Sequence, residues 1–379
     1  MNRLIYLDNS ATTKPSKKAV EYINKALCDT WGNPSSLHTL GMDAENLVDG
    51  ARETIARLIS AEKDEIFFTA SGTEANNTAI MSCLKRRGFG NRVITTKIEH
   101  PSVKETVKRL EGEGFEVVLL DTDKNGIVDV EQLKSSLNEK TILVSVMLVN
   151  NEIGSVQPIL EIGKLVKEYS KKALFHCDAV QGFGKCEINV KKLGVDLLTA
   201  SAHKIHGPKG IGFLYKRKGV TISPFITGGG QEKGLRSGTE AVPLIAGFMG
   251  AVEDLGNISQ NLQKVSRVNL YAREKFTSCS FAEINSPENA FEYILNISLP
   301  YYRSETLLHF LESKNIFVSS GSACAKGEQS YVLKSIGLDK VRTDSALRIS
   351  FSKDTTKEDI DCLFEALSEA VGKLRRSKI

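Results

Sequence analysis

Short apolar runs recur along the first two thirds of the chain, and most are followed by a stretch whose apolar positions repeat at helical spacing. The runs at 65–69, 92–96, 116–120, 142–149, 173–177 and 196–200 predict strands, and 211–215 predicts one more. Between them, 73–87, 103–110, 130–137 and 159–169 predict helices. Ahead of the first strand, 16–27 and 43–59 also carry helical spacing, and Ser16 stands where it can cap the first of these. Uninterrupted apolar strands alternating with helices imply a mostly parallel sheet covered on both faces. Ligands in such sheets sit beyond the carboxyl ends of the strands, and the unusual polar clusters of this chain fall at those ends.

After Gly228-Gly229-Gly230, helical patterning resumes near Ala241 and runs to Phe276, with Gly256 as a break. The remainder reads as a smaller unit, with strands at 293–298, 316–319 and 346–351 and helices at 304–312 and 357–373. The expected fold is therefore α/β: a large domain, 16–256, holding a mostly parallel sheet flanked by helices, and a smaller α+β C-terminal domain, 257–379, on which residues 1–15 pack.

Composition narrows the class. With 379 residues, 41% of them apolar and 25% charged, the chain can bury a substantial core. A net charge of +4 is small for that length and gives no reason to expect nucleic acid. Seven cysteines without a Cys-x-x-Cys pair predict free thiols in the cytoplasm rather than disulfides or a zinc site. No apolar run predicts a signal peptide or a membrane span, so neither a membrane nor a resident metal is expected.

The polar clusters carry the candidate chemistry. Lys204, in Ser201-Ala202-His203-Lys204, stands at the mouth of a strand before the turn Gly207-Pro208. Read locally it fits a surface lysine in a hairpin better than a lysine that forms a Schiff base with a carbonyl cofactor. Ser71-Gly72-Thr73-Glu74 joins a strand to a helix, which leaves backbone N–H groups free for an anion such as phosphate. Asp178, in Asp178-Ala179-Val180-Gln181, ends another strand and could pair with a protonated ring nitrogen of a cofactor. His100, after Glu99, is placed to stack on a ring or move protons. Cys324 lies among small residues with Lys326 nearby, a setting that favours the thiolate. Arg348 alternates with apolar neighbours on a strand and offers a planar fork to a carboxylate.

Taken in order, these motifs resemble one family, the cysteine desulfurases, among the pyridoxal-phosphate enzymes of fold type I (the class V aminotransferase group). The resemblance runs from Tyr6-Leu7-Asp8-Asn9-Ser10-Ala11-Thr12-Thr13 through Asn150-Asn151-Glu152-Ile153-Gly154 and Arg236-Ser237-Gly238-Thr239 to Ser319-Ser320-Gly321-Ser322-Ala323-Cys324 and Leu347-Arg348-Ile349-Ser350. It implies pyridoxal 5'-phosphate bound through Lys204, which also shuttles the α-proton. Gly72, Thr73, Ser201 and His203 would hold the phosphate, with Thr239 reaching the phosphate of a neighbouring subunit in a homodimer. Asp178 would pair with the pyridine nitrogen, Gln181 with the phenolic oxygen, and His100 would stack on the ring. Asn151 and Arg348, with Asn33, would orient the substrate L-cysteine. Cys324 would take the sulfur as a persulfide for an acceptor protein serving iron–sulfur assembly or thiolation of tRNA or cofactors, where it could meet a cluster transiently.

The same scaffold also suits a selenocysteine lyase or a transaminase, although a transaminase needs no cysteine at position 324. A non-catalytic sulfur relay is the reading from another class, and intact Lys204, Asp178 and His100 count against it.

Overall fold

The computed structural model describes residues 3–320 and 329–377. Its strands are β1 (Ile5–Tyr6), β2 (Ile66–Thr69), β3 (Arg92–Thr96), β4 (Glu116–Leu120), β5 (Thr141–Met147), β6 (Leu174–Asp178), β7 (Leu197–Ser201), β8 (Gly212–Lys216), β9 (Glu283–Ile284), β10 (Ile294–Ser298), β11 (Ile316–Phe317), β12 (Ser319–Ser320) and β13 (Ala346–Ser350). The central sheet has the order β2-β8-β7-β6-β5-β3-β4. Its pairs from β7 to β4 are parallel, and β8 is antiparallel to both β2 and β7.

The apolar runs are continuous because both faces of this sheet are covered. Successive side chains point to opposite faces, so Val93 and Ile94, Leu174 and Phe175, Leu197 and Leu198, and Leu214 and Phe213 divide between two separate buried clusters. On one face Phe183, Phe213 and Phe248 meet edge-on or tilted, with centroids 5.1 to 6.0 Å apart. The helices α1 (Lys17–Asp29), α2 (Thr39–Leu58), α3 (Gly72–Met81) and α4 (Pro101–Gly112) follow the predicted order. Ser16 does cap α1, accepting the N–H of Ala19. The stretch expected as one helix over 73–87 instead leaves α geometry after Met81 and continues as a tighter 3-10 helix, Ser82–Phe89. There the Ser82 hydroxyl donates to the Ala79 carbonyl at 2.6 Å, an oxygen that a longer α-helix would engage from its own backbone.

A second, antiparallel sheet has the order β12-β13-β10-β9. The N-terminal segment joins this part of the chain: β1 pairs in parallel with β11, and Ser10 N–H donates to Ser350 Oγ at 2.8 Å. Gly256, with φ of +65°, separates helix Val242–Asp254 from helix Ile258–Ser278. Among the described residues, no helix is long and apolar enough to cross a membrane.

Candidate active site

The ends of β2, β3, β5, β6 and β7 converge on a cavity of about 320 Å³. It is lined by Gly72, Thr73, His100, Asn151, Asp178, Gln181, Ser201, His203, Lys204 and Arg348, and also by Ser10, Ser71, Asn76 and Ser102. A larger cleft of about 430 Å³ runs between Arg3, Lys14, Lys17 and Lys353. Lys204, Asp178 and the start of α3 all face the smaller one, so chemistry rather than size selects it.

Each wall has a local cause. Ser71 caps α3 by accepting the N–H of Glu74 at 3.1 Å, leaving the N–H groups of Gly72 and Thr73 without helical partners. A Cβ on Gly72 would lie 2.9 Å from Val180 Cγ2, so the turn after Asp178 can approach only a glycine here. Glu74 is held in turn by Arg236, whose Nε lies 2.9 Å from its carboxylate.

Lys204 closes the 3-10 turn Ala202–Lys204 directly after β7. Its Nζ donates to the carbonyls of Ser10 at 2.6 Å and Ala11 at 2.9 Å. The same turn is stitched to the N-terminal segment by Thr13 N–H donating to His203 O at 2.9 Å and by His206 N–H donating to Thr13 Oγ1 at 2.6 Å. Burial, reinforced by Lys204, pushes the His203 pKa down to about 4.

Opposite the lysine, Asp178 Oδ1 accepts the N–H of Val180 at 3.0 Å, and Oδ2 accepts from Asn76 Nδ2 at 2.7 Å. Gln181 Nε2 donates to Ser10 O at 3.0 Å, and Lys185 Nζ lies 3.5 Å from its Oε1. Lys185 is buried with no carboxylate of the described residues in hydrogen-bond range, and burial, reinforced by Lys204, pushes its pKa down to about 7. Arg348 reaches the cavity from β13, with Nη1 donating to Asn151 O at 3.1 Å.

Sequence reasoning missed Asn76, Ser102, Lys185 and Glu152. Asn76 and Ser102 sit in helical stretches, where an Asn or Ser ordinarily marks a solvated face. Asn33 and Thr239 are exposed and do not line this chain's cavity. Cys324 lies outside the described residues. The described chain on either side of it returns to the site: Ser319 is in register with Arg348, and Ser330 Oγ donates to Glu152 Oε2 at 2.5 Å. Burial pushes the Glu152 pKa up to about 7 despite that bond and the nearby Arg348.

Comparison with known proteins gives a consistent picture. The family model described as aminotransferase class-V matches residues 5–363. A cysteine desulfurase of Nostoc sp. is 42% identical over 381 residues, covering 98% of this chain and 94% of that protein. A putative cysteine desulfurase IscS 1 of Bacillus subtilis is 42% identical, covering 98% of this chain and 99% of that protein. Among solved structures, a NifS-like protein superposes with a TM-score of 0.93 at 36% identity, covering 98% of this chain and 100% of that one. A structure titled SspA in complex with cysteine gives 0.82 at 34% identity, covering 93% of this chain and 100% of that one.

Proposed function

Because the chain belongs to the class-V aminotransferase family and, within it, to the cysteine desulfurases, we propose that it converts L-cysteine to L-alanine with pyridoxal 5'-phosphate and keeps the sulfur as a persulfide on Cys324. One observation carries this reading: Lys204 Nζ, the Asp178 carboxylate and the uncapped N–H groups of α3 face one cavity. A phosphorylated, ring-shaped cofactor suits the donor set. The buried Asn76 Oδ1 has no hydrogen-bond partner among the described residues, and the N-terminus of α3 comes this close to the turn after Asp178 because Gly72 has no Cβ to meet Val180.

When bound, the cofactor supplies a ring that withdraws electrons and stabilises negative charge at the substrate α-carbon. Gly72, Thr73, Ser201 and His203 would hold its phosphate, and Thr239 would reach the phosphate of a partner subunit. Lys204 Nζ would anchor the cofactor, and its amine would take up and return the α-proton. Asp178 would hold a proton at the ring nitrogen, Gln181 would serve the phenolic oxygen, and His100 would lie against the ring. Asn151, Arg348 and Asn33 orient the substrate carboxylate. In the net reaction a C–S bond breaks in the substrate and an S–S bond forms at Cys324 Sγ, and alanine leaves.

Large exposed apolar side chains support a homodimer: Leu27, Trp31, Leu37 and Met42 cluster in sequence between the end of α1 and the start of α2, with Leu37 97% exposed. We assign the large domain to 16–256 and the small one to 257–379 with 1–15, a division supported by the pairing of β1 with β11. The six described cysteines are free thiols, which agrees with a cytoplasmic setting. The sulfur acceptor is a protein of iron–sulfur assembly or of tRNA or cofactor thiolation. The deciding experiment incubates the protein with pyridoxal phosphate and L-cysteine, then measures alanine and the mass of the Cys324 peptide. Alanine together with one added sulfur is expected. Alanine without that sulfur would remove Cys324 from the reaction.

A further inference from the structure

Between Asp178 and His100 runs a chain of hydrogen bonds built from two side chains that have no place in the roles above. Asn76 Nδ2 donates to Asp178 Oδ2 at 2.7 Å and to Ser102 Oγ at 2.9 Å. Ser102 then serves His100 twice: its backbone N–H donates to Nδ1 at 3.1 Å, and its hydroxyl oxygen lies 2.8 Å from the same nitrogen. Asn76 and Ser102 are buried, on α3 and α4 respectively.

The chemistry of these groups fixes where the protons are. An ionised carboxylate only accepts, so the amide nitrogen of Asn76, not its oxygen, must face Asp178. That nitrogen also donates to Ser102 Oγ, which leaves the hydroxyl hydrogen free to point at His100. A peptide N–H only donates, so Nδ1 must present a lone pair to Ser102. A neutral imidazole has one ring proton, and it is therefore on Nε2. Nε2 makes no hydrogen bond to a described residue, and His100 lines the cavity.

We propose that Asn76 and Ser102 are positioning residues that hold His100 as its Nε2–H tautomer and lock its ring and the Asp178 carboxylate into one frame. Putting a proton on Nδ1 would forfeit both donors of Ser102. The neutral ring is favoured independently: burial lowers the His100 pKa below its ordinary 6.5, Lys204 lowers it further, and the negative Asp178 opposes both. The consequence is directional. The N–H available to the cavity is always the one on Nε2.

This deepens the active-site reading, but its test does not need that reading to hold, because the tautomer is measurable in cofactor-free protein. The full chain is labelled with ¹⁵N-histidine, and the His100 signal is identified among the six histidines by its loss in His100→Gln. Nδ1 is expected at a pyridine-type shift and Nε2 at a pyrrole-type shift, and the reverse assignment would overturn the proposal without any further variant. In Ser102→Ala the protonation midpoint of His100 is expected to rise by roughly half to one pH unit, the worth of one lost donor. Ser102→Thr should restore it, and Asn76→Ala should raise it as well, less than additively with Ser102→Ala. A folded Ser102→Ala protein with an unmoved midpoint, or a threonine that fails to restore it, would reduce Ser102 to packing. A desulfurase whose His100 carries its proton on Nδ1 would refute the positioning role alone, whereas the expected tautomer in a protein that makes no alanine would refute only the activity.

Discussion

Arg348 Nη2 lies 2.9 Å from Asp8 Oδ1, so the guanidinium at the cavity wall is already held by a carboxylate delivered from the N-terminal segment. Burial raises the Asp8 carboxyl above its ordinary pKa more than Arg348 and Lys204 lower it, which marks the pair as strongly desolvated. Such an arginine is oriented before any substrate arrives. Arg348→Ala is expected to raise KM for L-cysteine by about tenfold to a hundredfold, the worth of a charge-assisted bond of roughly 1.5–3 kcal/mol. Arg348→Lys should recover little, because an ammonium cannot span two acceptors in the plane of a fork. Steady-state kinetics decide this, and a KM within twofold of the parent in Arg348→Ala would place the carboxylate elsewhere.

Lys204 and Cys324 divide the reaction between them under the proposed reading. Lys204→Ala should abolish alanine formation while Cys324 still reacts with iodoacetamide at its native rate. Cys324→Ala should retain the visible absorbance of bound cofactor and lose turnover. Borohydride should fix that absorbance to Lys204 in the parent and to nothing in Lys204→Ala. Loss of both behaviours in one variant, with native circular dichroism, would contradict this separation.

The place of the site was legible from several motifs taken together, since each alone also fits an ordinary turn, cap or surface residue. Lys204, Asp178 and Gly72-Thr73 each end or follow a strand, and strand ends are where such a sheet gathers ligands. Asn76 gave no comparable signal: it meets Ser102, 26 positions away, only because α3 and α4 pack side by side. Lys185 follows Gln181 at a spacing that an exposed helix would also produce, whereas in the fold its Nζ lies 5.6 Å from the ring of Tyr293, more than a hundred positions on. The fold was legible because the covered sheet demands unbroken apolar runs. The antiparallel insertion of β8 between β2 and β7 was not, since pairing partners leave no trace in the pattern of a single strand.

The loop before Thr239 hangs on one buried ion pair. Arg52 grips Glu232 with two bonds, at 2.6 and 2.7 Å, and Phe68 N–H donates to the same carboxylate at 3.0 Å. Only 2% of the Glu232 side chain is exposed, so losing it strands the guanidinium and an amide away from water. Glu232→Ala is expected to cost about 3–5 kcal/mol of stability. It should also loosen the link from Arg236 to Glu74 at the start of α3, seen as weaker retention of pyridoxal phosphate. Urea unfolding measures the first effect, and a loss below about 1 kcal/mol would mean that water or the nearby Asp49 carboxylate takes over the Arg52 guanidinium.

Two buried groups that take no part in the proposed chemistry should shape stability in opposite directions with pH. His176 is fully buried between Ser145 Oγ at 2.8 Å and Thr199 Oγ1 at 3.1 Å, and burial pushes its pKa from 6.5 down to about 4, with Asp178 opposing. Between those values the unfolded chain binds a proton that the folded chain refuses. Stability is therefore intact above pH 6.5 and falls as the pH drops toward 4, by about 3 kcal/mol in all. Glu99 behaves inversely: burial, with Asp178 adding, raises its pKa from 4.5 to about 8, so the folded chain keeps a proton that the unfolded chain releases. Its contribution is complete below pH 4.5 and is lost as the pH rises to 8. His176→Gln should flatten the acid limb of a stability profile measured by urea unfolding of cofactor-free protein. Glu99→Gln should flatten the alkaline limb, because glutamine keeps the acceptor that serves Met147 N–H and Thr96 Oγ1 and never ionises. An acid limb unchanged in His176→Gln would mean that the ring is protonated in the folded protein and that Asp178 outweighs its burial.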